Sequence, residues 1–250
     1  MDAPRYSYPP GVLAALVRDL VLLRRRDFQK DARACVEWIR PPLHVIGRVN
    51  IPQHGPCVVT VNHYHRPGFG AQWFSLSIAS LVPVRMHWIM TGEFTYPGTW
   101  YERLGASGSK FLLQRIAYVY GFSTMPPMPP REKDVKPRAA SVRAVLEYVK
   151  RAERPVLGLA PEGYDPPAGT LTRPAPGLGR FGLLLSRAGL QFCPVGVYEM
   201  DGCFHVHFGE AYRLSVPPGL SPDEKDHQAS QIIMENIARL LPVHLRGEFN

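Results

Sequence analysis

The sequence predicts a single α/β domain with a mixed β-sheet flanked by helices, preceded by an amphipathic helical segment. Short apolar stretches bounded by glycine and proline alternate with segments of helical periodicity, which is typical of α/β folds. The chain has 250 residues, 45% of them hydrophobic and 20% charged, as expected for one large folded domain. We place a boundary after Pro42, between an N-terminal segment, 1–42, and an α/β domain, 43–250.

The N-terminal segment is predicted to dock on a membrane. Residues 1–10 are rich in proline and tyrosine and are expected to be loose, whereas 11–23 are strongly apolar. That stretch is shorter than the roughly 20 residues of a spanning helix. The basic triplet 24–26 follows, and an apolar helix with a basic end fits the interface of an anionic membrane. In the alternative, the helix packs on the protein's own core and the arginines complement its dipole.

The remaining elements follow from apolar periodicity. The clearest helix is 139–151, because Val142, Val145, Leu146 and Val149 share one face. Proline-rich segments at 124–137 and 166–179 are predicted loops. The predicted strands are 43–47, 57–61, 86–90, 117–120, 155–160, 192–197 and 204–208, and the other predicted helices are 71–81, 111–116, 181–188 and 223–241.

Charge and cysteine content restrict the partners and the compartment. The 29 Lys and Arg residues against 21 Asp and Glu give a net charge of +8, which favours anionic partners. No nucleic-acid-binding motif accompanies that charge, so we expect no nucleic-acid partner. The four cysteines form no Cys-x-x-Cys pair, and the start Met1-Asp2-Ala3-Pro4 lacks the basic flank of a secretory signal. We therefore expect a cytoplasmic protein with reduced cysteines.

Polar side chains follow two apolar strands. Asn62-His63 comes directly after one strand, and a histidine there is suited to act as a general base in a cleft at the sheet edge. Pro161-Glu162-Gly163 follows another strand, and its carboxylate can reach the same cleft. A glycine-containing loop then leads into a helix near Gly177, where backbone N–H groups can bind an anion and Arg173 and Arg180 can add charge.

In order and spacing, these segments resemble the glycerophospholipid acyltransferases, whose best-known members acylate lysophosphatidic acid. The resemblance runs from about Leu43 to Leu214. The matching segments are Asn62-His63 (the start of the family's His-x4-Asp block), Thr91-Gly92-Glu93-Phe94 with Pro97 and Gly105 (the stretch after it), Pro161-Glu162-Gly163 (the Pro-Glu-Gly block), 169–181 (the glycine-containing stretch) and Pro194-Val195 (the last block).

The resemblance implies that His63 removes a proton from an acceptor hydroxyl, which attacks an acyl thioester and releases coenzyme A or acyl carrier protein. The acceptor is expected to be a glycerol-based lipid on an anionic membrane, at the inner face of the cell membrane. No metal ion or prosthetic group is expected, and the oligomeric state stays open. The residues assigned to catalysis are His63 and Glu162, and those assigned to substrate binding are Asn62, Pro161, Gly163, Arg173, Gly177 and Arg180.

The sequence departs from the family in three of its segments. Gly68 stands where the family has the Asp that orients the histidine, and Tyr164-Asp165 stands where it has Thr-Arg. The arginine of the second block is replaced within 121–126, so Arg131 is the nearest later candidate. These departures leave open the alternative that the chain keeps the fold but binds lipid or acyl thioester without turnover.

Two hypotheses would compensate for Gly68. In the first, Glu93 or Asp165 approaches His63 in space; in the second, Tyr64 or His65 takes over part of the orienting role. A metal site is a poor alternative, because the pairs His63-x-His65 and His205-x-His207 lack further ligands at the usual spacing.

Overall fold

The structure, a computed structural model, describes residues 3–95, 102–128, 130–166 and 169–250. Met1, Asp2 and Pro97, which entered the sequence analysis, lie outside the described residues, as do small parts of the two predicted loops.

Seven strands of the described residues form one mixed sheet, which confirms the predicted fold class. The neighbouring strands are parallel except for β6 and β7, which are antiparallel. The spatial order is β1-β7-β6-β2-β5-β3-β4. The strands are β1 (His44–Ile46), β2 (Cys57–Val61), β3 (His87–Thr91), β4 (Ser123–Met125), β5 (Val156–Leu159), β6 (Gln191–Met200) and β7 (Cys203–Phe208).

Seven α-helices accompany these strands in the described part of the chain. Helices α5 and α7 show why the sequence forms them. Val145 and Val149 of α5 are buried, as its amphipathic pattern predicts, and α7 begins at a capping box formed by Ser221 and Glu224. The helices are α1 (Pro10–Leu22), α2 (Phe28–Val36), α3 (Gln72–Leu81), α4 (Glu102–Tyr120), α5 (Val135–Arg151), α6 (Leu178–Arg187) and α7 (Pro222–Ala238).

Strands β2 and β5 lie side by side at the centre of the sheet. Every residue of both strands is buried, as expected for parallel strands covered on both faces. Because the two strands run parallel, their carboxyl ends meet at one edge of the sheet. The segments that begin at Asn62 and at Pro161 therefore leave the sheet side by side.

The structure corrects the prediction around α4. The segment 117–120 is not a strand but the last turn of a helix that begins at Glu102. Its aromatic and β-branched residues favour a strand, but Leu113 and Ala117, four residues apart, are both buried as one helical face requires. The strand of this region, β4, comes afterwards at Ser123–Met125 and overlaps the start of the predicted loop 124–137, which is further shortened because α5 begins at Val135.

A second correction concerns the N-terminal segment. Helix α2 was not predicted, although Asp27 is its N-cap and accepts hydrogen bonds from two backbone N–H groups. Residues near the N-terminus are also less loose than expected, because the Tyr6 ring packs against Phe69, Trp73 and Phe204.

A buried ion network joins the two N-terminal helices to α4. The guanidinium of Arg26 lies 2.7 Å from Asp19 of α1 and 2.6 Å from Asp31 of α2. The hydroxyl of Tyr120, the last residue of α4, donates to Asp31 at 2.8 Å. The N-terminal segment is thus held against α4 through charged groups withdrawn from water. Among the described helices, none combines the length and the apolar character that crossing a bilayer requires.

Candidate active site

Asn62 fixes the backbone at the end of β2. Its side-chain amide donates to the carbonyl of Val197 at 2.9 Å and accepts from the N–H of Val197 at 2.7 Å. The side chain is buried, so these two bonds are shielded from water. Asn62 therefore ties the end of β2 to β6 immediately before His63.

Glu162 links the two loops that leave β2 and β5. It is fully buried, and its Oε2 accepts from the backbone N–H of His63 at 2.6 Å. Its Oε1 accepts from the backbone N–H of Thr172 at 2.9 Å and from the Thr172 hydroxyl at 3.2 Å. Burial raises the pKa of Glu162, and the N–H groups of His63 and Thr172 oppose that rise. Both carboxyl oxygens are thus occupied by hydrogen-bond donors of the protein.

The His63 ring lies beside a carboxylate from the β5 loop. Its Nδ1 is 3.0 Å from Oδ1 of Asp165, and the contact is not aligned as a hydrogen bond. His65 Nδ1 lies 3.6 Å from the same oxygen. The neighbouring His63 ring lowers the pKa of Asp165. On another side, the His63 ring meets the Phe74 ring edge-on, with centroids 5.4 Å apart.

The structure therefore decides between the two carboxylates proposed to replace the missing Asp. Asp165 approaches His63, whereas Glu93 is paired with Arg131 at 2.6 Å. Arg131 also contacts Asp134 at 2.5 Å, so its charge is compensated twice.

Two glycines allow the surrounding loops to approach this site closely. Gly163, with φ of 72°, carries the turn of Pro161-Glu162-Gly163, and a Cβ there would lie 2.8 Å from Met128. Gly169, with φ of 66°, comes equally near the His63 loop, since a Cβ there would lie 2.9 Å from the carbonyl oxygen of His65. Substitution at either glycine would strain the backbone and displace a neighbour.

The other predicted substrate-binding residues contact α7 rather than His63. The backbone N–H groups of Gly177 and Arg180 donate to the buried carboxylate of Asp226 at 2.6 and 2.7 Å. The anion at the start of α6 is therefore the protein's own carboxylate, so these two N–H groups are not available to a phosphate. The Arg173 guanidinium lies 3.0 Å from the His227 ring and 3.4 Å from Glu248.

Comparison with solved structures shows a similarity of fold. The chain resembles the crystal structure of the 1-acyl-sn-glycerophosphate (LPA) acyltransferase PlsC from Thermotoga maritima, with a TM-score of 0.51. The two share their fold. The alignment covers 92% of this chain and 89% of PlsC, at 14% sequence identity, so the likeness to PlsC extends to the fold and no further. Neither a protein-family profile nor a curated protein sequence matches the chain.

Sequence reasoning missed two groups that shape this site. Thr172, which shares Glu162 with His63, was not singled out, and only its position between Gly169 and Gly177 could have drawn attention to it. Glu199, at the end of β6, was also missed. Its carboxylate accepts from Arg66 at 2.6 Å and from the Tyr6 hydroxyl at 2.6 Å, which anchors the loop after His63 to the N-terminus.

Proposed function

We propose that this protein is an acyltransferase that moves a fatty acyl group from an acyl thioester to the hydroxyl of a glycerol-based lipid. The observation that carries the proposal is the His63–Asp165 pair, with Nδ1 and Oδ1 3.0 Å apart at the end of a central strand. The fold shared with PlsC supports it. A histidine paired with a carboxylate is a common general base for activating a hydroxyl group.

His63 is the proton-transfer group in this proposal. Since its Nδ1 faces Asp165, its Nε2 is left to take the proton from the acceptor hydroxyl. The hydroxyl oxygen then attacks the thioester carbonyl carbon, the carbon–sulfur bond breaks, and the proton on His63 passes to the leaving thiolate. Asp165 stabilises the imidazolium that forms between these steps, as its lowered pKa favours the ionised form.

Asn62 and Glu162 are positioning residues in this account. Asn62 fixes the strand end before His63, and Glu162 binds the backbone N–H of His63 itself. Glu162 was predicted to be catalytic, but with both oxygens engaged we propose that it holds His63 in place and moves no proton. Pro161 and Gly163 form the turn that presents it.

The ion pairs of Arg131 bear on the proposed acceptor. Arg131, the candidate for a phosphate-binding arginine, already neutralises Glu93 and Asp134. A phosphate would have to displace both carboxylates, so we propose a glycerol-based lipid acceptor whose binding does not depend on a phosphate at Arg131.

We also propose that the protein acts on an anionic membrane through a docking surface formed by Leu13, Val17 and Val21 of α1 with Leu104 and Phe111 of α4. The three α1 side chains are four residues apart, share one face and are 48%, 54% and 68% exposed. Leu104 and Phe111 are 76% and 61% exposed. An apolar surface of this kind marks an interaction site.

Basic residues accompany the docking surface. Arg24 and Arg25 at the end of α1 are exposed, and the Arg25 guanidinium lies over the Tyr118 ring of α4 at 4.1 Å. Arg115 of α4 lies over the Phe111 ring at 4.5 Å. Apolar side chains beside arginines match the acyl region and the headgroups of an anionic bilayer. A cytoplasmic protein on the inner face of the cell membrane fits this surface.

A panel assay tests the proposed function. Thiol release is measured from acyl-CoA and acyl carrier protein donors of several chain lengths, with and without lysolipid acceptors in anionic vesicles. We expect acceptor-dependent release that disappears in His63→Ala. The second candidate, lipid or thioester binding without turnover, is favoured by the imperfect alignment of the His63–Asp165 contact. Vesicle binding without release from any pair would support that candidate instead.

A further inference from the structure

A cavity of about 360 Å³ lies between the loop that precedes α6, helix α7 and the C-terminal residues. This volume is within the range of small-molecule binding sites, roughly 300–1,000 Å³. The residues that matter here are Arg173, Pro174, Pro176, Arg180, His227 and Phe249.

The lining combines a flat apolar part with cations. Phe249 and Pro176 offer rigid apolar surfaces on which a planar ring can lie, whereas Pro174 is buried. Arg173 and Arg180 offer guanidinium groups, each of which can donate two parallel hydrogen bonds to a phosphate. A planar base joined to phosphates, which is a nucleotide, satisfies both parts of the lining.

The two arginines can exchange their present partners for phosphate. Arg173 lies 3.0 Å from the His227 ring and 3.4 Å from Glu248, and the Arg173 and Glu248 side chains are half exposed. Arg180 lies 2.8 Å from Asp223, whose side chain is 91% exposed. Ion pairs in such exposed positions are weak. The remaining carboxylate, Asp226, is buried and occupied by backbone N–H groups, so it does not compete for the guanidinium groups.

The loop that lines the cavity also contacts the residues that position His63. Arg173 directly follows Thr172, which binds the same Glu162 carboxylate as the backbone of His63. The C-terminal residues are held in place because the N–H of Leu171 donates to the carbonyl of Leu245 at 2.8 Å. A ligand in the cavity would therefore lie against the loop that supports His63.

We propose that this cavity binds the nucleotide end of a coenzyme A thioester, with the purine on Phe249 and phosphates on Arg173 and Arg180. This inference rests on the proposed acyl transfer, for which it names coenzyme A as the donor's carrier. It also assigns Arg173 and Arg180 to the donor rather than to the phosphate of the acceptor.

Direct binding tests the inference independently of activity. Free coenzyme A, 3′-dephospho-coenzyme A and pantetheine are titrated into the full chain by calorimetry. We expect coenzyme A to bind at least tenfold more tightly than pantetheine, which lacks the nucleotide. The preference for coenzyme A over its 3′-dephospho form should disappear in Arg173→Ala or Arg180→Ala and persist in the control Arg187→Ala, an exposed arginine of α6 outside the cavity.

Phe249→Ala tests the base-binding part. It should weaken coenzyme A and the 3′-dephospho form by the same factor, because both carry the purine. Equal affinity for coenzyme A and pantetheine, or a 3′-phosphate preference unchanged in both arginine variants, would overturn the inference. Thiol release restricted to acyl carrier protein donors, with coenzyme A unbound, would overturn it and leave the acyltransferase proposal standing. Coenzyme A binding without acyl transfer would support the nucleotide site and contradict the acyltransferase proposal.

Discussion

Three side chains contact His63 or fix the strand that precedes it. Asn62 fixes the strand before it, Glu162 binds its backbone, and Asp165 faces its ring. Asp165 comes from the β5 loop, not from the five-residue spacing at which Gly68 stands. A carboxylate can reach the ring from either loop because the ends of β2 and β5 are adjacent. In the proposed mechanism, the orienting carboxylate therefore comes from a different part of the chain.

Replacing Asp165 by Asn tests this arrangement. In our account, Asp165→Asn lowers kcat by about 10²-fold, less than the roughly 10⁴-fold loss in a serine protease triad, because Asp165 is half exposed. The steady-state rate of thiol release measures the effect. The matched control is Asp201→Asn in the β6–β7 turn, where Asn tolerates the positive φ of 52°. Equal kcat for the two variants would show that Asp165 has no role in the mechanism.

Among the secondary-structure elements, helices α1 and α4 are linked to each other and to α2 by charged and polar side chains. Their exposed faces make the proposed docking surface, while Arg26 joins them with α2 through Asp19, Asp31 and Tyr120. The burial of Asp19 supports the alternative that α1 packs on the protein's own core, and membrane docking through the exposed face of α1 stays a proposal. Asp19 is buried against the protein, whereas the helix face that carries Val17 is exposed to solvent.

The docking surface predicts a change in membrane affinity. Val17→Asp with Val21→Asp should weaken binding to vesicles with anionic lipid by at least tenfold, because charges would replace exposed apolar side chains. Flotation with vesicles measures the bound fraction. Val49→Asp is the control, since Val49 is also exposed (91%) but lies outside α1 and α4. Undiminished flotation of the double variant would rule out this surface.

The ion network predicts a change in stability. Arg26→Met should lower the Tm by on the order of 5 °C, because it leaves the buried carboxylate of Asp31 without its cation and that of Asp19 with only the exposed Arg18. Thermal unfolding followed by circular dichroism measures the loss. Arg24→Ala removes an exposed arginine of the same triplet and should leave the Tm nearly unchanged. A similar Tm for both variants would mean that the network does not hold α1, α2 and α4 together.

The molecule as a whole shows which features a sequence can reveal. Strands β2 and β5 were predicted because continuous apolar residues and bounding turns are local signals, and His63 and Glu162 were identified from their places after those strands. The last turn of α4, 117–120, was mistaken for a strand, since its burial at helical spacing depends on tertiary packing. The contacts of Asp226 with α6 and of Thr172 with Glu162 join distant or irregular segments, for which no local signal exists.

Global stability should depend on pH through His87. Burial lowers the pKa of His87 from 6.5 to about 4, so the folded state favours the neutral ring. The unfolded chain takes up a proton as the pH falls below 6.5, and the folded chain does so only near 4. Stability is therefore complete above that window and falls through it, by about 1–2 kcal/mol between pH 7 and pH 5.

Urea unfolding at pH 7 and pH 5 measures this change. His87→Phe retains an aromatic ring to stack on Tyr148, whose ring lies 3.9 Å from that of His87, but it cannot titrate. The variant should lose less stability than the wild type over this pH interval. An equal loss in both proteins would assign the pH dependence to other groups.

The transfer of a labelled acyl chain into a lipid product tests the central claim most directly. Wild type, His63→Ala and Asp165→Asn are incubated with acyl-CoA and lysolipid in anionic vesicles, and the lipid products are separated and counted. We predict a labelled diacyl product from the wild type, strongly reduced product from Asp165→Asn and none above background from His63→Ala. Equal product from His63→Ala and the wild type would contradict the account.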